Sequence, residues 1–167
     1  MKINLPDYLS LSRIFFTLLF LIFKDYNNLL LIILFLVVLS DVLDGYLARK
    51  LKISSKFGAI IDPLTDKFFV LIVFSFFLYN KQINFLQFVL LTLRDLYSLV
   101  EVILTLIANN KKTHKARFYG KITTTLQYFM ILILILNLEL KEYLIILIFI
   151  FGVLAIIDYV RIRWFND

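Results

Sequence analysis

Long apolar stretches alternate with short polar ones along the whole chain, and six of the stretches approach the roughly 20 residues that a membrane-spanning helix requires. They cover about 9–23, 29–49, 59–79, 85–108, 119–136 and 143–162, and a short amphipathic segment at 3–8 precedes the first. The connections are KDYNN at 24–28, NKQIN at 80–84, NNKKTHKAR at 109–117 and NLELKE at 137–142, with a basic turn, KLKISSK, between the second and third stretches. This pattern predicts an all-α polytopic membrane protein with six transmembrane helices, forming a single domain over residues 1–167.

Composition supports the pattern. Hydrophobic residues make up 62% of the 167 residues and the mean hydropathy is +0.91, against roughly 45–50% apolar usage in soluble domains. A cleavable signal is a competing reading of the first stretch, but no small-residue cleavage site follows Phe23 and Arg13 interrupts the apolar run. The chain has no cysteine, which removes disulfides, Cys-ligated zinc and thiol nucleophiles together.

Charge sets the expected orientation, because Lys and Arg in short loops favour the cytoplasmic side. One side holds Lys2, Arg49, Lys50, Lys52, Lys56, Lys111, Lys112, Lys115, Arg117, Arg161 and Arg163, and the other only Lys24, Lys81 and Lys141. Both termini are therefore expected in the cytoplasm, with the protein integral to the cell (inner) membrane. The net charge of +6 reads as topology plus attraction to anionic lipid heads. A nucleic-acid partner is not expected, since no soluble basic face exists.

Ionisable residues inside the apolar stretches change the picture from membrane protein to candidate enzyme. Each costs on the order of 2.5–3.5 kcal/mol near the bilayer centre, yet Asp41, Asp44, Asp62, Asp66, Asp95, Glu101 and Asp158 all fall there, as do Arg13, Lys67, Arg94 and Lys121. Asp41 and Asp44 stand three apart, and Asp62 and Asp66 four apart, so each pair shares a helix face. Two consecutive helices joined by a short turn bring both pairs to one cytoplasmic end. Four such carboxylates cannot all stay ionised without cations, and hard divalent ions with oxygen ligands, Mg²⁺ or Mn²⁺, suit them. Two ions would clamp a phosphoryl-bearing substrate. Gly45, Ala48 and Gly58 would let a ligand approach the backbone, although small residues also serve plain helix packing. Arg49 at the helix end can pair with phosphate oxygens.

These residues stand as D-x2-D-G-x2-A-R-x8-G-x3-D-x3-D from Asp41 to Asp66, which resembles the signature of the CDP-alcohol phosphatidyltransferases at every fixed position and gap. The opening NLPDYLSLSR, with Asn4, Pro6, Ser10 and Arg13, is similar to the glycerophosphate-using branch, as are Arg94-Asp95 and Gly120-Lys121 with Thr124 and Gln127. The resemblance implies a six-helix enzyme, usually a homodimer, that transfers a phosphatidyl group from CDP-diacylglycerol to an alcohol and releases CMP. It implies that Asp41, Asp44, Asp62 and Asp66 bind metal, that Asp66 is also the general base, and that Gly45, Ala48 and Arg49, with Gly58 beside them, hold the CDP moiety.

The acceptor is less tightly specified. Glycerol 3-phosphate is a dianion whose pocket needs cations, and Arg94 and Lys121 are candidates, with Arg117 and Lys115 nearby. Arg-Asp in the fourth helix also resembles the branch whose acceptor is phosphatidylglycerol, and Thr123 stands where glycerophosphate users resemble G-K-x-K-T. A different class of reading, an ion or solute transporter, needs polar groups at the midplane and broken helices, whereas these acids cluster at helix ends and Pro63 is the single candidate break. His114 reads as solvated and Trp164 as an interfacial anchor. Glu101 and Asp158 are left to pair with Arg94 or another helix.

Overall fold

A helix forms wherever the chain runs apolar, because a backbone without water must bond to itself. The computed structural model describes the backbone of residues 5–51, 58–107 and 118–165, and the side chains of 12–43, 46, 64–65, 67–104 and 118–161. The helices are α1 (Leu5–Ile22), α2 (Asn27–Leu51), α3 (Gly58–Tyr79), α4 (Phe85–Ile107), α5 (Phe118–Leu136) and α6 (Lys141–Phe165), and no strand occurs among the described residues. Residues Leu5 to Tyr8 continue into α1 without a break, so the described part of the amphipathic segment expected ahead of the first helix forms its first turn. Likewise α3 runs through Pro63, although proline cannot donate to the carbonyl four residues earlier.

Two compact units divide the chain, residues 1–77 and 78–167. In the first, α1 packs along α2. Buried Phe20 of α1 meets the rings of Phe69, Phe76 and Phe77 of α3 edge-on, with centroids 6.0–6.3 Å apart, the arrangement that aromatic quadrupoles favour. Leu30, Ile33, Leu34 and Val37 form the buried stripe of α2 at helical spacing.

In the second unit, α6 packs against both α4 and α5. Its buried stripe is Ile145, Ile148, Gly152, Ala155 and Tyr159. On α5 the stripe is Gln127, Met130, Ile131 and Leu134. The α4 helix begins with a reciprocal cap, Gln87 N–H donating to Asn84 Oδ1 and Asn84 N–H to Gln87 Oε1, both at 2.8 Å. Lys81 and Asn137, past the ends of α3 and α5, are left-handed at φ 59° and 52°, the conformation that commonly terminates helices.

Burial in α4 runs opposite to that of a soluble helix. Thr92, Arg94, Asp95, Ser98 and Glu101 are buried, while Leu86, Leu96, Val100, Ile103 and Leu104 are exposed. Similar outward apolar faces occur on α1 (Phe15, Leu18, Ile22), α2 (Ile32, Phe35) and α6 (Ile146, Ile150, Ile157). Contiguous exposed apolar surface on this scale marks a lipid or protein cover, and this is a membrane protein. By length and composition alone, two stretches among the described residues suffice to cross a bilayer, Phe118–Leu136 and Lys141–Arg161. The six helices match the expected number, and two of them meet this test within their described residues. On α4 three charged residues, Arg94, Asp95 and Glu101, interrupt the apolar run.

Candidate active site

The first unit carries the carboxylate motif. Asp41, Asp44, Gly45, Ala48 and Arg49 stand on the C-terminal half of α2, and Gly58, Asp62 and Asp66 on the N-terminal half of α3. Helical backbone at these positions sets the i,i+3 and i,i+4 relationships on which shared faces depend. Of these residues, only Asp41 has its side chain within the described part. The side chains of Asp44, Ala48, Arg49, Asp62 and Asp66 lie outside it, as do the surroundings of Gly45 and Gly58 and the part of KLKISSK beyond Leu51.

Asp41 is held from α1. Arg13 Nη2 lies 3.1 Å from Asp41 Oδ1, with the arginine side chain 1% exposed and the aspartate 36%. A buried guanidinium needs a counter-charge, and Asp41 supplies it. One turn on from Arg13, Thr17 Oγ1 donates to the Arg13 carbonyl at 2.7 Å. On α2, Ser40 is buried and bonds back to the Val37 carbonyl. The α1–α2 packing therefore fixes one carboxylate of the motif in a defined place.

Donor chemistry is where a divalent cation fits. Four carboxylates offer only oxygen ligands, the type that Mg²⁺ and Mn²⁺ take and that softer ions do not require. Among the described residues no three acidic or histidine side chains converge.

The second unit carries the other sequence candidates. Lys121 is exposed in the first turns of α5. Lys115 and Arg117 lie outside the described residues. Arg94 is 7% exposed and faces its own neighbour and α5. Its Nε donates to Asp95 Oδ1 at 3.1 Å and its Nη2 to the same oxygen. Nη1 donates to the Gly120 carbonyl at 2.6 Å, and both terminal nitrogens reach Thr124 Oγ1 at 3.1–3.2 Å. The second Asp95 oxygen accepts from Gln127 Nε2, which also donates to the Leu91 carbonyl at 2.8 Å. Thus Arg94 pairs with Asp95, where sequence reasoning looked to Glu101 or Asp158. Glu101 itself accepts from Tyr97 Oη at 3.1 Å.

Tyr159 went unremarked in the sequence. Its hydroxyl lies beside Gly120, and its ring stacks on Tyr97 with centroids 6.5 Å apart and planes 10° from parallel. A signal was available, because Ile145, Ile148, Gly152, Ala155 and Tyr159 recur at alternating three- and four-residue steps, the spacing of a buried helix face.

Comparison with known proteins bears on the family of the chain. A family model described as CDP-alcohol phosphatidyltransferase matches residues 3–156. The chain is similar to a CDP-diacylglycerol–glycerol-3-phosphate 3-phosphatidyltransferase of Aquifex aeolicus, 41% identical over 127 residues that cover 72% of this chain and 69% of the relative. Relatives of the same name from Rickettsia typhi and Rickettsia bellii are 30% and 32% identical over 139 residues, covering 80% of this chain and 77% and 76% of theirs. The carboxylate motif on α2 and α3 and a family match spanning most of the sequence lead to one conclusion: this chain belongs to the CDP-alcohol phosphatidyltransferase family.

Proposed function

We propose that the chain transfers the phosphatidyl group of CDP-diacylglycerol to sn-glycerol 3-phosphate and releases CMP, a step of phospholipid biosynthesis. The observation that carries this reading is the complete eight-residue motif from Asp41 to Asp66 in a chain 41% identical to a relative named for that reaction. A transporter loses its footing once the family is one of transferases.

Asp66 takes the proton of the acceptor hydroxyl as its oxygen attacks the β-phosphorus, which a general base must do for a neutral alcohol to act as nucleophile. The new O–P bond replaces the bond from that phosphorus to the CMP oxygen, and CMP departs with the electron pair. Asp41, Asp44, Asp62 and Asp66 would hold Mg²⁺ or Mn²⁺, two ions by ligand count. When bound, such ions neutralise the diphosphate and the leaving phosphate. Gly45, Ala48 and Gly58 leave room for the cytidine diphosphate moiety against the helix backbones, and Arg49 pairs with its phosphate. Lys121, with Lys115 and Arg117, supplies positive charge for the acceptor phosphate.

Residues 1–167 act as one catalytic domain in the inner membrane, with six spans, both termini and the active site on the cytoplasmic side, as a homodimer. The asymmetry of lysine and arginine among the loops supports the orientation. A site at the cytoplasmic interface also suits substrates whose acyl chains stay in lipid while the acceptor and CMP exchange with water.

An acceptor panel tests the reading. Purified protein given CDP-diacylglycerol and Mg²⁺ or Mn²⁺ is expected to release CMP when glycerol 3-phosphate is added. Release with phosphatidylglycerol alone would transfer the assignment to the cardiolipin-forming branch.

A further inference from the structure

Charge and sequence position nominate Arg94 as a ligand for the acceptor phosphate. Its surroundings give it a different task. From the hydrogen bonds of its guanidinium, we infer that Arg94 is a positioning residue that clamps α5 to α4 and so sets where Lys121 stands, without itself contacting the acceptor.

A guanidinium has five N–H donors, and all five have acceptors. Nε–H and one Nη2–H go to Asp95 Oδ1, the other Nη2–H and one Nη1–H to Thr124 Oγ1, and the last Nη1–H to the Gly120 carbonyl. No donor is left for a phosphate oxygen. The charge is also matched where it lies, since Asp95 is buried beside it. A dianion binding here would have to displace Asp95 or the α5 acceptors, and would have to lose its water at a side chain only 7% exposed.

The clamp grips α5 at three positions on one face. Gly120 and Thr124 accept from Arg94, and Gln127, fully buried, donates to Asp95 Oδ2 and to the Leu91 carbonyl. Thr124 also donates to the Gly120 carbonyl at 3.0 Å, which orients its lone pairs toward the guanidinium. Lys121 follows Gly120 directly and is exposed. Anything that rotates or slides the first turns of α5 therefore moves Lys121 by the same amount, and misplacement by about 1 Å can cost on the order of 10²-fold in rate.

The inference rests on the proposed role of Lys121, so its test needs readouts that survive failure of that role. Thermal melting in detergent, kcat, and KM for glycerol 3-phosphate and for CDP-diacylglycerol are measured for the wild type, R94Q, R94K, T124V and R94Q/D95N. R94Q should lower the melting temperature by about 10 °C, because it strands the buried Asp95 carboxylate. R94K should fall with it, since an ammonium cannot span three acceptors in a plane. T124V removes no charge, yet should raise KM for glycerol 3-phosphate several-fold with a smaller melting loss. R94Q/D95N should regain at least half of the melting temperature and turnover that R94Q loses. A direct phosphate ligand predicts otherwise: R94Q melting like the wild type with KM for glycerol 3-phosphate alone raised ten-fold or more, T124V unaffected, and no gain from adding D95N. That pattern overturns the clamp. Should R94Q fail to fold, T124V and R94Q/D95N decide between the two patterns. If the wild type does not consume glycerol 3-phosphate, the acceptor assignment falls, while the melting temperatures still judge the clamp.

Discussion

Tyr159 Oη lies 2.9 Å from the position that a Cβ on Gly120 would occupy, with Arg94 Nη1 next at 3.5 Å. Helices α5 and α6 thus approach at a point where one side has only a hydrogen atom. The tyrosine cannot swing away freely, because its ring is buried and stacks on Tyr97. Gly120→Ala should therefore destabilise the fold by about 1–3 kcal/mol, the usual range for an overpacked site, and lower the melting temperature accordingly. Tyr159→Phe removes the crowding oxygen, so the double variant should recover part of the loss. Additive losses in thermal melting would show that the methyl group is accommodated by another route.

The ion pair between Arg13 and Asp41 makes a second prediction. Arg13→Gln removes the guanidinium at 3.1 Å from a carboxylate that is 36% exposed. Breaking a fully buried pair costs about 3–5 kcal/mol. Water at the open side of Asp41 reduces this, and about 2 kcal/mol is expected by denaturant or thermal unfolding. Asp41→Asn should be costly too, because it strands the more deeply buried partner. If Arg13→Gln melts like the wild type, α1 does not hold Asp41 in place.

Removal of the proposed base is the third. Asp66→Asn should cut turnover by at least about 10²-fold, the lower end for general base catalysis, while the variant still melts cooperatively. Chelation by EDTA should silence the wild type, and added Mg²⁺ or Mn²⁺ should restore it. Turnover that persists in EDTA would rule out the metal-assisted route.

A fourth prediction separates stability from function. The reciprocal bonds between Asn84 and Gln87 cap α4 at the end opposite Glu101. Asn84→Ala should cost about 1 kcal/mol, or roughly 2–4 °C in melting temperature. CMP release at a temperature well below the transition should stay at the wild-type rate.

Helix positions were legible because they are local. An apolar run needs only its own backbone hydrogen bonds to be satisfied, so the expected 59–79 and 119–136 agree with α3 and α5 to within one residue. The carboxylate motif was legible for a related reason, since i,i+3 and i,i+4 spacing is a property of a single helix. Legibility failed first at the amphipathic segment, whose residues from Leu5 onward continue α1. Nothing in a hydropathy pattern distinguishes a separate surface segment from the first turn of the helix it leads into.

By itself, the sequence determined the helices, the lipid-facing character of the chain, the motif that carries its family, and the chemical type of the candidate metal ligands. What Arg94 does was decided only by tertiary structure. In sequence it is an arginine in an apolar helix, free to be read as a phosphate ligand. In the fold its acceptors come from residues 95, 120 and 124, and the carboxylate beside it is shared with Gln127. A charge alone does not say whether its hydrogen-bond donors are already used. Counting them requires neighbours that lie some thirty residues away along the chain and side by side in space.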